Sequence, residues 1–130
     1  MRAIEMDERV LISFASIDEF SGEVPDPIEQ NSLGERAVAI RRREFHAGRS
    51  LARKILSQVG IAPTSIPMKE NRLPAWPSGV LAAISHTKTH VAVAVSRSQK
   101  IRALGLDIEH QGAVQSDIFP HVLNGPEVIQ

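Results

Sequence analysis

The stretch from Val80 to Glu109 limits the possible folds more than any other part of the chain. It holds three short apolar runs, Val80 to His86, His90 to Ser96 and Ala103 to Glu109, with polar residues between them. Such runs predict an antiparallel meander in which His86 ends the first strand and Asp107 and Glu109 end the third. Residues two apart share a strand face, so Asp107 and Glu109 present paired carboxylates while Ile108 turns to the core. Like charges this close require a cation or solvent screening. Mg2+, which takes one or two carboxylates together with water and phosphate oxygens, is the natural ion. Two solvated acids at a strand end are the plainer alternative.

A chain of 130 residues suffices for one domain with a real core and leaves no comfortable room for two. Lys and Arg number 15 against 15 for Asp and Glu, so no overall field draws the chain to nucleic acid or an anionic membrane. Phosphate recognition must therefore come from local clustering. The absence of cysteine excludes disulfides, thiolate zinc sites and a thiol nucleophile. Met1 to Val10 lacks the apolar run of a signal peptide, and no stretch approaches the roughly 18 apolar residues of a membrane span. The expectation is a cytoplasmic protein with no nucleic-acid partner and no membrane span.

Upstream, Val10 to Ile17 reads as a first strand beside the meander, and Asp18 to Asn31 as a loop. Ser32-Leu-Gly-Glu35 fits a capping box, predicting one helix from about Leu33 to Val59, stopped by Gly60 and Pro63. On a helical period Ile40, Ala47, Gly48, Leu51, Ile55 and Val59 gather on one side. Arg42, His46, Arg49 and Arg53 gather on another, either as an anion site or as a solvated face. From Ala62 to Gly79 four prolines stiffen the backbone around Lys69, Arg72 and Trp76, as suits a loop that holds a ligand. Trp76 is either a plug under that loop or a stacking platform. Beyond Glu109 a short helix around Val114 to Leu123 is expected. The predicted class is α+β: an antiparallel sheet of about four strands packed against one long helix.

Four segments in order, Arg42-Arg-Glu-Phe-His-Ala-Gly-Arg49-Ser-Leu-Ala-Arg53, Arg72-Leu-Pro-Ala-Trp-Pro-Ser-Gly79, Ile84-Ser-His-Thr87 and Gly105-Leu-Asp-Ile-Glu109, resemble the 4′-phosphopantetheinyl transferases of the enterobactin-synthetase type. The resemblance implies one half of a pseudo-twofold fold. It also implies transfer of phosphopantetheine from coenzyme A to a serine of an apo carrier protein, releasing adenosine 3′,5′-bisphosphate. Carried onto this chain, it makes Asp107 and Glu109 the Mg2+ ligands and sets Ser85 and His86 at the coenzyme A phosphates, His86 with the two acids forming the catalytic set. Arg49 becomes the 3′-phosphate ligand, with Arg53, Lys69 and Arg72 as further coenzyme A contacts.

The departures are as informative. Ala82-Ala83 stands where the family usually has Gly-Ser. The family's second half carries a third metal-binding carboxylate and an F-S-x-K-E-A-like motif, and nothing between His110 and Gln130 resembles it. The expected organisation is therefore an N-terminal half-domain over residues 1–112 and the truncated start of a second half, or a tail, over 113–130. A second chain completing the site is a further expectation. Two other classes compete: a non-catalytic coenzyme A-binding or oligomerising module, and a transition-metal hydrolase using His86, His90 and Asp107. The histidine spacing suits a helix, whereas this segment reads as a hairpin, which disfavours the hydrolase.

Overall fold

The computed structural model describes the backbone of residues 2–7, 10–98, 101–111 and 115–124, and the side chains of residues 10–98. Strands β1 (Arg2–Asp7) and β2 (Val10–Ser16) lead through a 3-10 turn (Ile17–Phe20) to helices α1 (Pro27–Leu33) and α2 (Ala39–Gln58). Strands β3 (Leu81–His86), β4 (His90–Ser96), β5 (Ile101–Gln111) and β6 (Gln115–Asn124) follow. The class is α+β, as the apolar patterning indicated.

β4 lies inside the sheet, whose order is β1-β2-β4-β3 with antiparallel pairing throughout. Its run of alternating Val and Ala explains that position. Val91, Val93 and Val95 point to one core cluster, Ala92 and Ala94 to another, and all five are buried. A strand closed on both faces reads as a continuous apolar run. The β3–β4 hairpin matches the expected meander, but the third run does not extend it. β2 occupies the remaining edge of β4, so β5 pairs instead with β6 and packs against β3 and β4. The segment expected as a helix near Leu123 is this β6 strand. Pro120 would break a helix interior, and Ile118, Phe119 and Val122 suit a strand with β5 as its partner.

The single helix expected from Leu33 is two helices, and the loop expected over Asp18 to Asn31 contains the first of them. α1 begins at Asp26, whose carboxylate accepts from the amides of Ile28 and Glu29 at 2.8 and 3.1 Å, with Pro27 at the first helical position. Gly34 ends α1 with a φ of 96°, a conformation that favours glycine. Ser32 is therefore not a cap. Its hydroxyl donates to the Glu29 carbonyl and accepts from the Met68 amide at 2.8 Å, tying α1 to the loop before β3. α2 stops as predicted: Gly60 has a φ of 85°, and the amides of Gly60 and Ile61 return to the carbonyls of Ser57 and Leu56.

Ala47, Leu51 and Ile55 of α2 are fully buried against the valines of β4, each large side chain contributing about 1.5–3 kcal/mol. Ile40, expected on this face, is exposed, because it lies in the first turn before α2 meets the sheet. Gly48 marks the closest approach: a Cβ there would sit 3.0 Å from Cγ2 of Ile84. Glycine thus lets α2 lie tightly on β3, which brings the helix cations to the edge of that strand.

Candidate ligand-binding site

A cleft of about 570 Å³ opens where α2, the loop before β3 and β3 itself converge. Its volume is within the range of roughly 300–1,000 Å³ typical of small-molecule sites. Arg41 and Arg49 line it from the helix, Lys69 and Arg72 from the loop, and His86 from the end of β3. Trp76, Met68, Ala82, Ala83 and Ile84 supply much of its apolar wall. Among the described residues that line it there is no carboxylate.

The loop cations are held by a tight hairpin. The Lys69 amide donates to the Leu73 carbonyl and the Arg72 amide to the Lys69 carbonyl, both at 2.8 Å, and Met68 bridges Pro74. This is a three-residue hairpin loop whose last position is left-handed, and Arg72 fills it with a φ of 70°. A non-glycine residue there costs about 1–2 kcal/mol, so the arginine side chain is retained against a backbone preference. Trp76 is part of the wall and also packs against the main core, so it serves as a plug while one part of it meets the cleft.

Arg49 is 6% exposed, and its Nε donates to the Ile66 carbonyl at 2.7 Å. Its guanidinium lies 4.1 Å from the Phe45 ring centroid, while that of Arg41 lies 5.7 Å from the same ring. Burial, with Arg41 and Arg53 nearby, outweighs the attraction of Glu29 and pulls the Arg49 pKa down to about 10. The side chain still carries its charge at neutral pH, desolvated and next to another cation. An anion in the cleft would offset both penalties.

The rest of the helix stripe has other work. Arg42 binds Gln30 Oε1 at 3.2 Å and the Gly34 carbonyl. His46 is buried with Nε2 3.1 Å from the Phe20 carbonyl, so Nε2 donates and Nδ1 accepts from Ser50 Oγ at 3.3 Å. Arg53 pairs with buried Glu29 and donates to Ser50 Oγ at 3.2 Å. Of Arg42, His46, Arg49 and Arg53, only Arg49 lines the cleft, because its neighbours find acceptors of their own on α1 and the turns. Ser85 lies on β3 next to His86 and is not among the lining residues.

His86 Nδ1 is 3.3 Å from Glu44 Oε2, bridging β3 and α2 at one end of the cleft. His90 packs its ring against Phe14 and does not line the cleft. Asp107 and Glu109 lie in β5, opposite Phe119 and Asp117, and their side chains are outside the described residues. Among the described residues no group of three His, Asp or Glu side chains is placed to hold a metal. Arg41 is not among the residues that the sequence motifs single out, although its spacing of eight residues from Arg49 puts both within one stripe of a helix. Glu29 was missed because the segment around it reads as a loop.

The profile of the 4′-phosphopantetheinyl transferase N-terminal domain matches residues 29–96, a little over half of the chain. The chain belongs to the 4′-phosphopantetheinyl transferase family. The match covers Glu29, α2, the hairpin loop and the β3–β4 pair, the elements that build the cleft; Asp107 and Glu109 lie beyond it. This family member is 31% identical over 101 residues to the 4′-phosphopantetheinyl transferase Npt of Nocardia iowensis, covering 78% of this chain and 45% of that one. It is 35% identical over 91 residues to the transferase PptT of Mycobacterium tuberculosis, covering 70% and 40%. To the enterobactin synthase component D of Salmonella typhimurium it is 37% identical over 90 residues, covering 67% and 36%. The chain thus spans less than half the length of the curated relatives it matches. Among the described residues no helix is long and apolar enough to cross a membrane.

Proposed function

We propose that this chain forms the coenzyme A-gripping part of a 4′-phosphopantetheinyl transferase, which moves the phosphopantetheine arm to a serine hydroxyl of an apo acyl or peptidyl carrier protein. The observation that carries the reading is the cleft: Arg41, Arg49, Lys69, Arg72 and His86 face it without a lining carboxylate among the described residues. In a chain of zero net charge, that concentration is a local device for polyanions.

Attack of an alcohol on the β-phosphorus of a pyrophosphate asks the protein mainly to position the reactants and stabilise charge. Arg41 and Arg49, prearranged on Phe45, present planar donors suited to a terminal phosphate. Lys69 and Arg72 close over it from the loop, and Trp76 with Met68 borders the apolar remainder. His86 takes the pyrophosphate end, next to β5. By donor type, the two carboxylates of Asp107 and Glu109, two residues apart on one strand, fit Mg2+. When bound, that ion would neutralise charge on the pyrophosphate oxygens. On this reading residues 1–112 are the first half of a pseudo-twofold enzyme, and catalysis needs a second half or a partner chain. The name of the Salmonella relative favours a carrier protein of siderophore assembly.

Calorimetry and thermal melts with coenzyme A and dephospho-coenzyme A test the proposal. Coenzyme A at a hundred times its Kd should stabilise the chain by about 2.7 kcal/mol. Loss of the 3′-phosphate should weaken binding at least about tenfold, the worth of one charge-assisted hydrogen bond. No response at millimolar ligand with Mg2+ refutes it, and a ligand-independent dimer in that case would mark an interaction module.

A further inference from the structure

Glu29 is the one acidic side chain buried to 1% exposure among the described residues, and it has two partners. One carboxylate oxygen pairs with Arg53. The other, Oε2, accepts from the Ile66 amide at 2.8 Å. The carbonyl of the same residue accepts from Arg49 Nε at 2.7 Å, and the Ile66 side chain is fully buried in the core. Glu29 on α1 and Arg49 on α2 are thus joined through one residue of the loop that closes the cleft.

We propose that Glu29 is a positioning residue of the anion cleft: it fixes the backbone of Ile66, whose carbonyl holds the Arg49 guanidinium toward the ligand. The inference rests on the reading of the cleft given above. Neighbouring bonds brace the same segment. Ser65 Oγ donates to Asp26 at 2.7 Å and the Met68 amide donates to Ser32 Oγ, so residues 65–68 are strapped to α1 at three points. Arg53 neutralises the buried acid and is itself oriented by Ser50. Among the described residues the hydrogen-bond acceptor of Arg49 is a neutral carbonyl, which leaves its charge available to an anion.

The role can be separated from plain electrostatics because the two have opposite signs. Removing a negative charge close to an anion site tightens anion binding if charge alone matters. Loss of the strap weakens it. In Glu29→Gln a single amide oxygen cannot serve both Arg53 and the Ile66 amide, and the NH2 group faces a donor.

The test measures coenzyme A binding by calorimetry, with EDTA present to silence any metal contribution, for the native chain, Glu29→Gln and the uncharged double variant Glu29→Met with Arg53→Met. Hydrogen exchange of the Ile66 amide and the Arg49 Nε–H is followed by NMR in the absence of ligand. Both variants should bind about tenfold more weakly, and both exchange rates should rise about tenfold while β4 amides keep theirs. Unchanged or tighter binding overturns the proposal, as does unaltered exchange at Ile66 and Arg49. If the native chain fails to bind coenzyme A, the functional reading falls, and the exchange rates alone then decide whether Glu29 holds Arg49. Should Glu29→Gln not fold, the double variant, which removes the buried acid and its ion-pair partner together, carries the same comparison.

Discussion

Replacing Arg49 by methionine should separate stability from ligand binding. Methionine is shorter than arginine but keeps an unbranched apolar stem beside the Phe45 ring, and it carries no charge. Burial lowers the Arg49 pKa from the ordinary arginine value to about 10, a disadvantage to the charged form of roughly 3 kcal/mol at 1.36 kcal/mol per unit. A base whose pKa falls on folding binds fewer protons folded than unfolded between about pH 10 and its ordinary pKa, so the penalty is fully present at neutral pH. Methionine removes it. Against this stand the bond to the Ile66 carbonyl, about 1.5–3 kcal/mol with a charged donor, and a cation–π contact of about 1–2 kcal/mol that a thioether partly replaces. The opposing contributions nearly cancel, so urea unfolding should find Arg49→Met within about 1 kcal/mol of the native chain. Coenzyme A binding should fall roughly 10- to 100-fold, as expected for losing a charge-assisted phosphate contact. Destabilisation beyond about 3 kcal/mol would mean that Arg49 is chiefly a structural strut and that its burial is not a penalty. Undiminished affinity would mean that its guanidinium does not meet the ligand.

Arg72→Gly should relieve the left-handed strain and raise stability by up to about 1 kcal/mol, while coenzyme A affinity falls; a stability loss would refute the strain argument. Asp26→Ala should cost about 1–2 kcal/mol in urea unfolding, since the cap of α1 and the bond to Ser65 both vanish. The Ser65 hydroxyl, with lesser help from the capped amides and Arg53, lowers the Asp26 pKa below 3.8. Its contribution is therefore complete above the unfolded pKa and is lost as pH falls through the lower folded value, so native and variant melts should converge only in strong acid. Asp107→Asn and Glu109→Gln should abolish the Mg2+-dependent part of coenzyme A binding and leave binding in EDTA unaltered; retention of the Mg2+ effect would sink their assignment as ligands.

Periodicity was most informative where burial is one-sided or complete. The Val and Ala alternation of His90 to Ser96 places β4 inside the sheet, and Ala47, Leu51 and Ile55 mark the buried face of α2. It was least informative where long-range partners decide. Nothing in Ile101 to Gln111 distinguishes pairing with β4 from pairing with β6; the competition of β2 for the same edge decides it. Ser32 and Glu35 form a good local cap signal, yet Asp26 with Pro27 is also one, and the buried contacts of Glu29 favour the earlier start. A local pattern yields when a neighbouring one satisfies more distant groups.

The division of the arginines on α2 shows the same rule at the site. Arg49 and Arg53 are one turn apart and nearly equivalent on a helical wheel, so spacing alone gives both the same prospects. Their environments differ by one carboxylate. Arg53 pairs directly with Glu29, whereas among the described residues Arg49 meets the Ile66 carbonyl and the Phe45 ring and feels Glu29 without a hydrogen bond to it. A cation that is buried and held but not neutralised gains more from an incoming anion than one already paired. On the proposed reading, Glu29, a buried acid outside the cleft lining, sets which of the two arginines is left to meet an anion.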